Sequence, residues 1–380
     1  MTLLAAIILA VWVAAALVVP AGNRRVPRLA TLDAPPPPRW PRVSLVIAAR
    51  NEAATLGAAV PTMLALDYPE LELIAVDDRS DDGTGALLDR LAAADPRLRV
   101  VHVRDLPAGW IGKNHALHLG AAQATGEFVL FTDADIHFAP DALRRAVAFA
   151  VAGRLDLLAA VPQLSNRGHR LGICVNAFSF AFTLGILPWR IRNPRSRVHG
   201  SVGAFGLVRT DTYRRFGGHE ALRLRPDDDI KLGKLFKLRG ARCDFLHGAG
   251  ALSVEWYSDI RGMVHGLTKN AYAAADYRPW APPAGATLLF ALYVWPVLAL
   301  FFTSGPAWGL HAASVALMLA LGVDQTRFTG GPRWHGLFLP FGMAVFSFIL
   351  LRSQWVAHRT GGITWRGTHY PLRELKKNVV

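Results

Sequence analysis

The sequence feature that most constrains the fold is a short apolar run that ends in two carboxylates. Phe128 to Phe131 is rich in residues that favour β-structure, and Asp133, Asp135 and then Pro140 follow it. This pattern predicts a buried strand whose carboxyl end carries two acids and leads into a helix. Ligands of open α/β sheets bind outside the carboxyl ends of strands, so both acids are expected to face a crevice, where they could share one divalent cation. An isolated Asp-x-Asp, however, is more often a capping Asp beside a solvated one.

The segments before this strand alternate between strand and helix patterns. Strands are predicted at 43–48, 71–76 and 98–103, and helices at 52–66 and 113–124. Strands that alternate with helices pair in parallel through crossover connections. The sequence therefore predicts an α/β domain with a mostly parallel, nucleotide-fold-like sheet.

Polar side chains also follow the first two of these strands. Glu52 comes after the first strand, and an Asx-rich turn that begins with Asp77 and Asp78 and runs to Thr84 comes after the second. Carboxylates at these positions could accept hydrogen bonds from a nucleotide's base and ribose. Each has an ordinary alternative, because Glu52 suits the first turn of a helix and the second segment suits a helix-capping turn. Three acidic strand ends in one sheet favour a shared site.

Composition indicates membrane segments. Of the 380 residues 52% are hydrophobic, and the mean hydropathy of +0.25 is too high for an ordinary soluble protein. The net charge of +14 suits nucleic acid, anionic lipid or phosphorylated substrates. The apolar stretches favour the last two, and no nucleic-acid-binding module is visible. Cys174 and Cys243 predict neither a disulfide framework nor a zinc site, and His115, His219 and His265 are expected to be ordinary polar residues.

Residues 1–22 are predicted to form a transmembrane anchor, and 23–42 a basic, proline-rich linker. Arginines crowd the C-terminal side of the apolar run, so the positive-inside rule places the following domain in the cytoplasm. A second apolar stretch, 171–189, lies inside that domain. A full crossing there would separate two halves of one site, so an interfacial helix is expected, with Arg190, Arg192, Arg195 and Arg197 near headgroups. A buried core helix is an equal alternative.

Residues 284–357 are predicted to contain transmembrane or re-entrant segments, and residues 358–380 a basic cytoplasmic tail. The apolar stretches are 284–303, 307–323 and 337–351. Three full crossings would put the tail opposite the main domain, whereas its basic residues favour the cytoplasm. One stretch is therefore expected to be re-entrant or interfacial, and the sequence does not select which.

Together these motifs resemble the nucleotide-sugar half of membrane-associated family 2 glycosyltransferases of the GT-A fold. The resemblance covers about Val43 to Asp259 and rests on Ala48-Ala-Arg-Asn-Glu52, Val76 to Thr84 and Thr132-Asp-Ala-Asp135. Membrane members of that family include ceramide glucosyltransferase-like proteins and hopanoid- or carotenoid-associated bacterial enzymes. Three further segments are similar to the hopanoid- or carotenoid-associated group: Gly109 to Lys113, Gly203 to Arg209 and Trp365 to Tyr370. The resemblance implies a GT-A catalytic domain at 43–280, with transmembrane helices on both sides of it.

The resemblance implies an enzyme that moves a sugar from a UDP- or GDP-sugar to a membrane lipid, such as a hopanoid, carotenoid, polyprenol or sphingolipid-like acceptor. The reaction would occur at the cytoplasmic face of a bacterial-type inner membrane. Asp135 and Asp133 would bind Mg²⁺ or Mn²⁺ as a metal cofactor, with Asp133 also near the donor. The implied donor-binding residues are Glu52, Asp77, Asp78 and Lys113. Lys113 could equally be a solvated surface cation.

A third acidic segment, Asp227 to Asp229 after Pro226, predicts a helix N-terminus. In the related enzymes an acidic pair followed two residues later by Leu supplies the catalytic base. Asp228-Asp229-Ile-Lys-Leu232 matches, with Asp in place of the usual Glu, so Asp229 is the expected base of an inverting displacement and Asp228 its neighbour. The assignment is uncertain by one position.

The acceptor site is less well defined, because the Gln-x-x-Arg-Trp signature of many membrane relatives is absent. Trp256 with Arg261, or Trp365 with Arg366, are candidates to replace it at the acceptor or diphosphate.

Two other functions remain open. A haloacid-dehalogenase-type phosphatase also uses a strand-terminal Asp-x-Asp, but near its domain start and with Thr or Val where this chain has His137. The other alternative is a non-catalytic membrane scaffold or lipid-binding protein with a transferase-like fold. The presence of all four expected acids, Asp133, Asp135, Asp228 and Asp229, argues against it.

Overall fold

The structure, a computed structural model, describes residues 1–166 and 168–380. The chain divides into two compact units. The sheet unit comprises Val26–Gln163, Pro188–Val254 and Lys377–Val380, and the helical unit comprises Met1–Arg25, Leu164–Leu187 and Glu255–Lys376.

The described residues form twelve strands. They are β1 Val43–Ala49, β2 Leu71–Asp78, β3 Leu98–Val103, β4 Phe128–Asp133, β5 His137–Phe138, β6 Leu157–Val161, β7 Gln163–Ser165, β8 Gly206–Arg209, β9 Cys243–His247, β10 Leu252–Glu255, β11 Gly362–Trp365 and β12 Thr368–Pro371.

The described residues also form fourteen α-helices, with a π-helical segment at Phe290–Val294 between α10 and α11. The helices are α1 Thr2–Asn23, α2 Ala53–Leu64, α3 Thr84–Ala94, α4 Gly112–Gln123, α5 Ala142–Ala152, α6 His169–Ile186, α7 Thr210–Arg215, α8 Asp228–Leu238, α9 Ile260–Ala274, α10 Ala281–Leu289, α11 Trp295–Ala299, α12 Gly305–Thr329, α13 Leu339–Arg359 and α14 Leu372–Leu375.

A seven-stranded sheet of order β3-β2-β1-β4-β8-β6-β9 forms the core of the sheet unit. The predicted parallel pairing is confirmed for β1 to β4, and β6 also pairs in parallel with β9. β8, which the sequence analysis did not assign, runs antiparallel to both β4 and β6. The fold is therefore α/β with a mixed, mostly parallel sheet, as the GT-A resemblance implied.

The register of the sheet brings the predicted acids to one edge. Every residue of β2 is buried, as expected of a strand covered on both faces. Ala48 pairs with Asp133 and Ala49 with Asp77, so the acidic ends of β4 and β2 flank the end of β1. β2 and β4 each run two residues beyond their predicted ends, because these acids still belong to the strand ladder.

The opposite edge of the sheet is held by a buried carboxylate. Glu72 on β2 accepts hydrogen bonds from Ser44 Oγ and from both the amide and the hydroxyl of Thr125. Ser44 Oγ in turn accepts a bond of 2.8 Å from the amide of Gly126, just before β4. This network fixes the start of the strand that ends in the two acids.

The described residues contain five helices long and apolar enough to cross a membrane. They span Thr2–Asn23, His169–Arg190, Ala281–Ala299, Gly305–Thr329 and Arg333–Arg359. These helices coincide with all five apolar segments predicted from the sequence. Within the helical unit, the indole of Trp12 on α1 donates a hydrogen bond of 3.1 Å to the carbonyl of Leu292. A second cluster joins α6, α9 and α13 through Leu171, Met263 and Ile349.

Candidate functional site

An ion pair stands at the carboxyl end of β4. Lys113, in the first turn of α4, places its Nζ 2.7 Å from Oδ1 of Asp133, the last residue of β4. Burial alone would lower the pKa of Lys113, but the nearby carboxylates of Asp133, Asp228 and Asp229 raise it instead. Lys113 is thus held as a cation beside the acids, with its side chain 24% exposed.

Asp135 is a half-buried carboxylate that no neighbour neutralises. In the part of the chain that the structure describes, no other residue donates a hydrogen bond or forms an ion pair with its side chain. Burial, with repulsion from Asp133 and Glu52, raises the pKa of Asp135 to about 7. This position favours a cation, because a positive charge there would relieve both effects.

Gly203 brings the acids of two distant segments side by side. Its amide donates a hydrogen bond of 2.8 Å to Oδ2 of Asp229, which also accepts one of 2.7 Å at Oδ1 from the amide of Ile230. A Cβ at position 203 would lie only 2.8 Å from Oδ2 of Asp133. The close approach therefore requires glycine, and it places Asp133 and Asp229 on either side of one residue.

The three consecutive acids before and within α8 have different partners. Asp227 is neutralised by Arg225 in a bidentate pair with distances of 2.9 and 2.8 Å, and both side chains are buried. Asp228 lies 3.8 Å from Nε2 of His219. Asp229 faces the site instead, where burial and the charge of Asp228 raise its pKa to about 7. The repulsion expected among three adjacent acids is thus reduced by placing each in a different environment.

Lys113, Asp133, Asp228 and Asp229 line one small pocket that is partly open to solvent. Its described lining residues all belong to the sheet unit: Lys113, Leu117, Phe131, Thr132, Asp133, Ser201, Val202, Gly203, Gly206, His219, Asp228, Asp229 and Leu232. The pocket thus joins the end of β4, the start of α4, the loop before β8 and the start of α8.

The acids at the end of β2 are held by protein groups. Asp77 accepts from the ring of His102 at 3.0 Å and, more weakly, from the amide of Ser80 at 3.3 Å. Asp78 forms a bidentate pair with Arg79, at 2.8 and 3.1 Å. Both acids are buried, and each is bound by neighbouring protein groups.

Glu52 lies on the other flank of the site, immediately before α2. Its amide donates a hydrogen bond of 2.9 Å to Oγ1 of Thr84, which ties the end of β1 to the turn after β2. Its carboxylate is one of the charges that raise the pKa of Asp135. Glu52 is therefore close to the acids at the end of β4.

The four aromatic and basic residues considered for the acceptor belong to the helical unit. Trp256 packs against Phe178 of α6, with ring centres 4.7 Å apart. Arg261 is exposed in the first turn of α9. Trp365 lies under the ammonium of Lys269, 3.8 Å from the ring centre, and Arg366 occupies the turn between β11 and β12 with φ of +48°.

Sequence reasoning missed the role of His219, which was expected to be an ordinary polar residue. His219 is buried, lines the pocket, and places Nδ1 2.8 Å from the hydroxyl of Tyr213. Gly218 makes this possible, because a Cβ there would overlap the Tyr213 ring. The available signal was the Gly217-Gly218 pair, which marks an unusual backbone just before the acidic segment.

The sequence is similar to those of known glycosyltransferases. The sequence profile described as Glycosyl transferase family 2 matches residues 44–177. The chain is 38% identical over 142 residues to a Beta-monoglucosyldiacylglycerol synthase of Synechocystis sp., covering 37% of this chain but only 29% of that protein. It is 23% identical over 348 residues to a 4,4'-diaponeurosporenoate glycosyltransferase of Staphylococcus aureus, covering 87% and 88% of the two chains.

The fold is also similar to a solved structure. A mannosyltransferase from Pyrobaculum calidifontis, solved in complex with GDP-Man and Mn²⁺, superposes with a TM-score of 0.54 at 21% identity. The superposition covers 91% of this chain and 98% of that one.

The raised pKa of Asp229 predicts a cost in stability that a neutral side chain would remove. Above pH 7 the folded protein holds a buried charge that the unfolded chain keeps in water. Below pH 4 both states are neutral, so the cost disappears. Asp229→Asn is therefore expected to raise the melting temperature in detergent at pH 8 but not at pH 4. Asp211→Asn, at an exposed site in α7, is the control, and an equal shift at both pH values would contradict the assignment.

Proposed function

We propose that this chain is a family 2 glycosyltransferase that transfers a sugar from a nucleotide-sugar donor to a hydroxyl group of a membrane lipid, with inversion. We place the reaction at the cytoplasmic face of a cell membrane. The observation that carries the proposal is the convergence of Lys113, Asp133 and Asp229 on one pocket. The ammonium of Lys113, paired with Asp133, suits a reaction that releases a diphosphate, and the carboxylate of Asp229 suits one that takes up a proton.

A lipid acceptor is supported by the names of the relatives and by the apolar helices. One relative is named for a glucosyldiacylglycerol and another for the transfer of a sugar to diaponeurosporenoate. Five long apolar helices would hold such an enzyme at the membrane that contains an acceptor of this kind. The solved mannosyltransferase carries GDP-Man, which supports a UDP- or GDP-sugar as donor here.

Asp229 is the proposed general base. Its pKa near 7 suits proton uptake at neutral pH, because it is then partly ionised yet still basic enough to take a proton. The amides of Gly203 and Ile230 each hold one of its oxygens. Held in this way, Asp229 would remove the proton from the acceptor hydroxyl as that oxygen attacks the anomeric carbon. The diphosphate leaves from the opposite face in the same step, which inverts the anomeric centre.

Lys113 is the proposed partner of the departing diphosphate. Its ammonium is fixed by Asp133 at 2.7 Å, and it lies in the first turn of α4, where the helix dipole favours anions. Negative charge that develops on the leaving group would therefore meet a cation already in place. Glu52, Asp77 and Asp78, on the neighbouring strand ends, are proposed to lie along the nucleoside.

Asp133 and Asp135 fit a divalent cation. Asp135 is without a partner in the described structure, and Oδ2 of Asp133 lies over the bare Cα of Gly203. Among residues 1–166 and 168–380 no three His, Cys, Asp or Glu side chains form a closed metal site. Two carboxylates suit Mg²⁺ or Mn²⁺, which take further oxygens from phosphate and water. When bound, the cation would supply Lewis-acid stabilisation of the diphosphate.

The position of α6 in the chain favours the interfacial role proposed for it. α6 lies between β6 and β8, which are hydrogen-bonded neighbours in one sheet. If α6 crossed a bilayer, these two strands would lie on opposite sides of it, which their pairing forbids. We therefore propose that both ends of α6 lie on the side of the sheet, with its apolar surface in the membrane interface or against the other helices.

The segment that follows α6 is a basic loop, defined here as Arg190 to Arg197. All four of its arginines are exposed: Arg190, Arg192, Arg195 and Arg197. Only Arg192 has an ion-pair partner among the described residues, Asp244 at 2.9 Å. The buried ammonium of Lys237 binds the carbonyls of Ile191 and Asn193, which fixes the loop from inside. We propose that the basic loop contacts anionic headgroups.

Transfer itself is tested with purified protein in detergent, a panel of UDP- and GDP-sugars, and a membrane lipid extract. We expect release of nucleotide and a glycosylated lipid with at least one donor. EDTA should abolish both and Mn²⁺ should restore them. If folded protein released nucleotide from no donor, the non-catalytic scaffold reading would replace this proposal. Release of inorganic phosphate alone would favour a phosphatase.

Removal of either proposed acid should stop transfer. Asp229→Asn is expected to lower kcat about 100- to 10,000-fold, as for loss of a general base, with little change in the KM of the donor. Asp135→Ala is expected to abolish transfer, and added Mn²⁺ should not restore it. Asp141→Asn, a partly exposed acid paired with Arg145, is the control. Full activity in both site variants would show that the roles are assigned wrongly.

The basic loop is tested by lipid composition. Transfer by the wild-type protein in nanodiscs should increase when an anionic lipid is added, and Arg195→Gln/Arg197→Gln should lose most of that increase, since each basic residue contributes about 1 kcal/mol at an anionic surface. Arg90→Gln/Arg104→Gln removes the same charge from exposed positions elsewhere and should keep the response. An equal response in both double variants would exclude the loop as the contact.

A further inference from the structure

The loop that leads to the proposed base is held by Asn378, which lies 154 residues after Leu224 in the chain. Residues 221–227, here the base loop, run directly into α8 and therefore into Asp229. Asn378 Oδ1 accepts a hydrogen bond of 2.9 Å from the amide of Leu224, and its Nδ2 donates one of 2.9 Å to the carbonyl of Ala221. Its own carbonyl accepts a third, of 3.4 Å, from Nη1 of Arg225.

The base loop is held on another side by the start of α4. Nδ2 of Asn114 donates to the carbonyls of Leu222 and Arg225, at 2.6 and 2.8 Å, and the amide of Ile111 donates to the carbonyl of Arg223 at 2.7 Å. Asn114 follows Lys113 in the chain. The base loop thus links the ammonium at one wall of the pocket to the carboxylate at the other.

Arg225 connects these anchors to the acids. Its guanidinium binds Asp227 in a buried bidentate pair, and it also donates to the carbonyl of Asn378. Asp227 is the residue before the first turn of α8, so its position sets where that turn begins. Loss of the Asn378 contacts would leave the amide of Leu224 and the carbonyl of Ala221 without these partners and would loosen the loop at its centre.

From this geometry we propose that Asn378 is a positioning residue for the reaction. It touches neither the pocket nor the proposed reacting groups. It acts through the base loop, which it fixes so that Asp229 stays at hydrogen-bonding distance from Gly203. The inference rests on the proposed role of Asp229 as the base.

The expected signature separates positioning from donor binding. Displacement of a catalytic group by about 1 Å can reduce the rate up to about 100-fold without weakening the ground-state complex. Asn378→Ala is therefore expected to lower kcat about 10-fold or more while the KM of the donor changes less than about twofold. Hydrogen–deuterium exchange of a peptide covering the base loop should become faster, because the amide of Leu224 loses its acceptor.

Val379→Ala is the matched control, because the side chain of Val379 is 79% exposed. It should retain the kcat and the exchange rate of the wild type. If Asn378→Ala does not fold, Asn378→Asp keeps an acceptor for Leu224 but provides no donor for Ala221, and a reduced kcat at constant KM is again expected. Asp229→Asn, measured in parallel, tests the proposed base independently.

Three results would overturn the inference. An unchanged kcat in Asn378→Ala, with Asp229→Asn inactive, would remove the role of Asn378 and leave the proposed function intact. Faster exchange without loss of kcat would show that the contact serves only folding. A rise in the KM of the donor as large as the expected fall in kcat would show that Asn378 acts on donor binding. Full activity in Asp229→Asn would instead overturn the proposed function itself.

Discussion

The site depends on one ammonium group placed among several carboxylates. Asp133, Asp228 and Asp229 all act on the charge of Lys113, and only Asp133 touches it directly. Without this cation the acids would repel one another across a partly dry pocket, and more of them would take up protons. Two of the carboxylates nevertheless keep a pKa near 7, those of Asp135 and Asp229. Compensation is therefore incomplete at the two positions proposed for the metal and the base.

Hydrogen bonds fix the starts of the strands, and a glycine leaves space where the acids approach one another. Glu72 fixes the starts of β2 and β4 through Ser44 and Thr125. Gly203 leaves room for Asp133, in a loop whose side chains would otherwise fill the pocket. The hydrogen-bonded carboxylate of Glu72 and the poorly compensated carboxylates of the site therefore lie at opposite ends of the same parallel strands.

Much of the fold could be predicted from local patterns. The apolar runs in β1, β2 and β4 were visible because strands buried on both faces are largely hydrophobic. The acids after them were expected to meet because parallel strands end at the same side of a sheet. The five apolar helices followed from length and composition. The antiparallel β8 could not be foreseen, since Gly206–Arg209 is a short apolar segment whose direction depends on its neighbours.

The details of the site were less accessible. The sequence presented Asp227, Asp228 and Asp229 as near equivalents. They differ because Arg225 folds back onto the first, His219 approaches the second, and Gly203 binds the third. The last two partners belong to other elements, so no local pattern contains them. Asn378 lies more than 150 residues from the loop it holds, and a single asparagine in a basic tail carries no signal of such a contact.

That contact also limits how the C-terminal helices can be arranged in a bilayer. The chain leaves the sheet unit after Val254 and has returned to it by Lys377. Three apolar helical segments lie between these points: Ala281–Ala299, Gly305–Thr329 and Arg333–Arg359. A chain that departs from one face of a membrane and comes back to the same face makes an even number of passages. If the sheet unit lies on one side of a bilayer, the contact of Asn378 with the base loop requires that either two of the three segments cross it or none does.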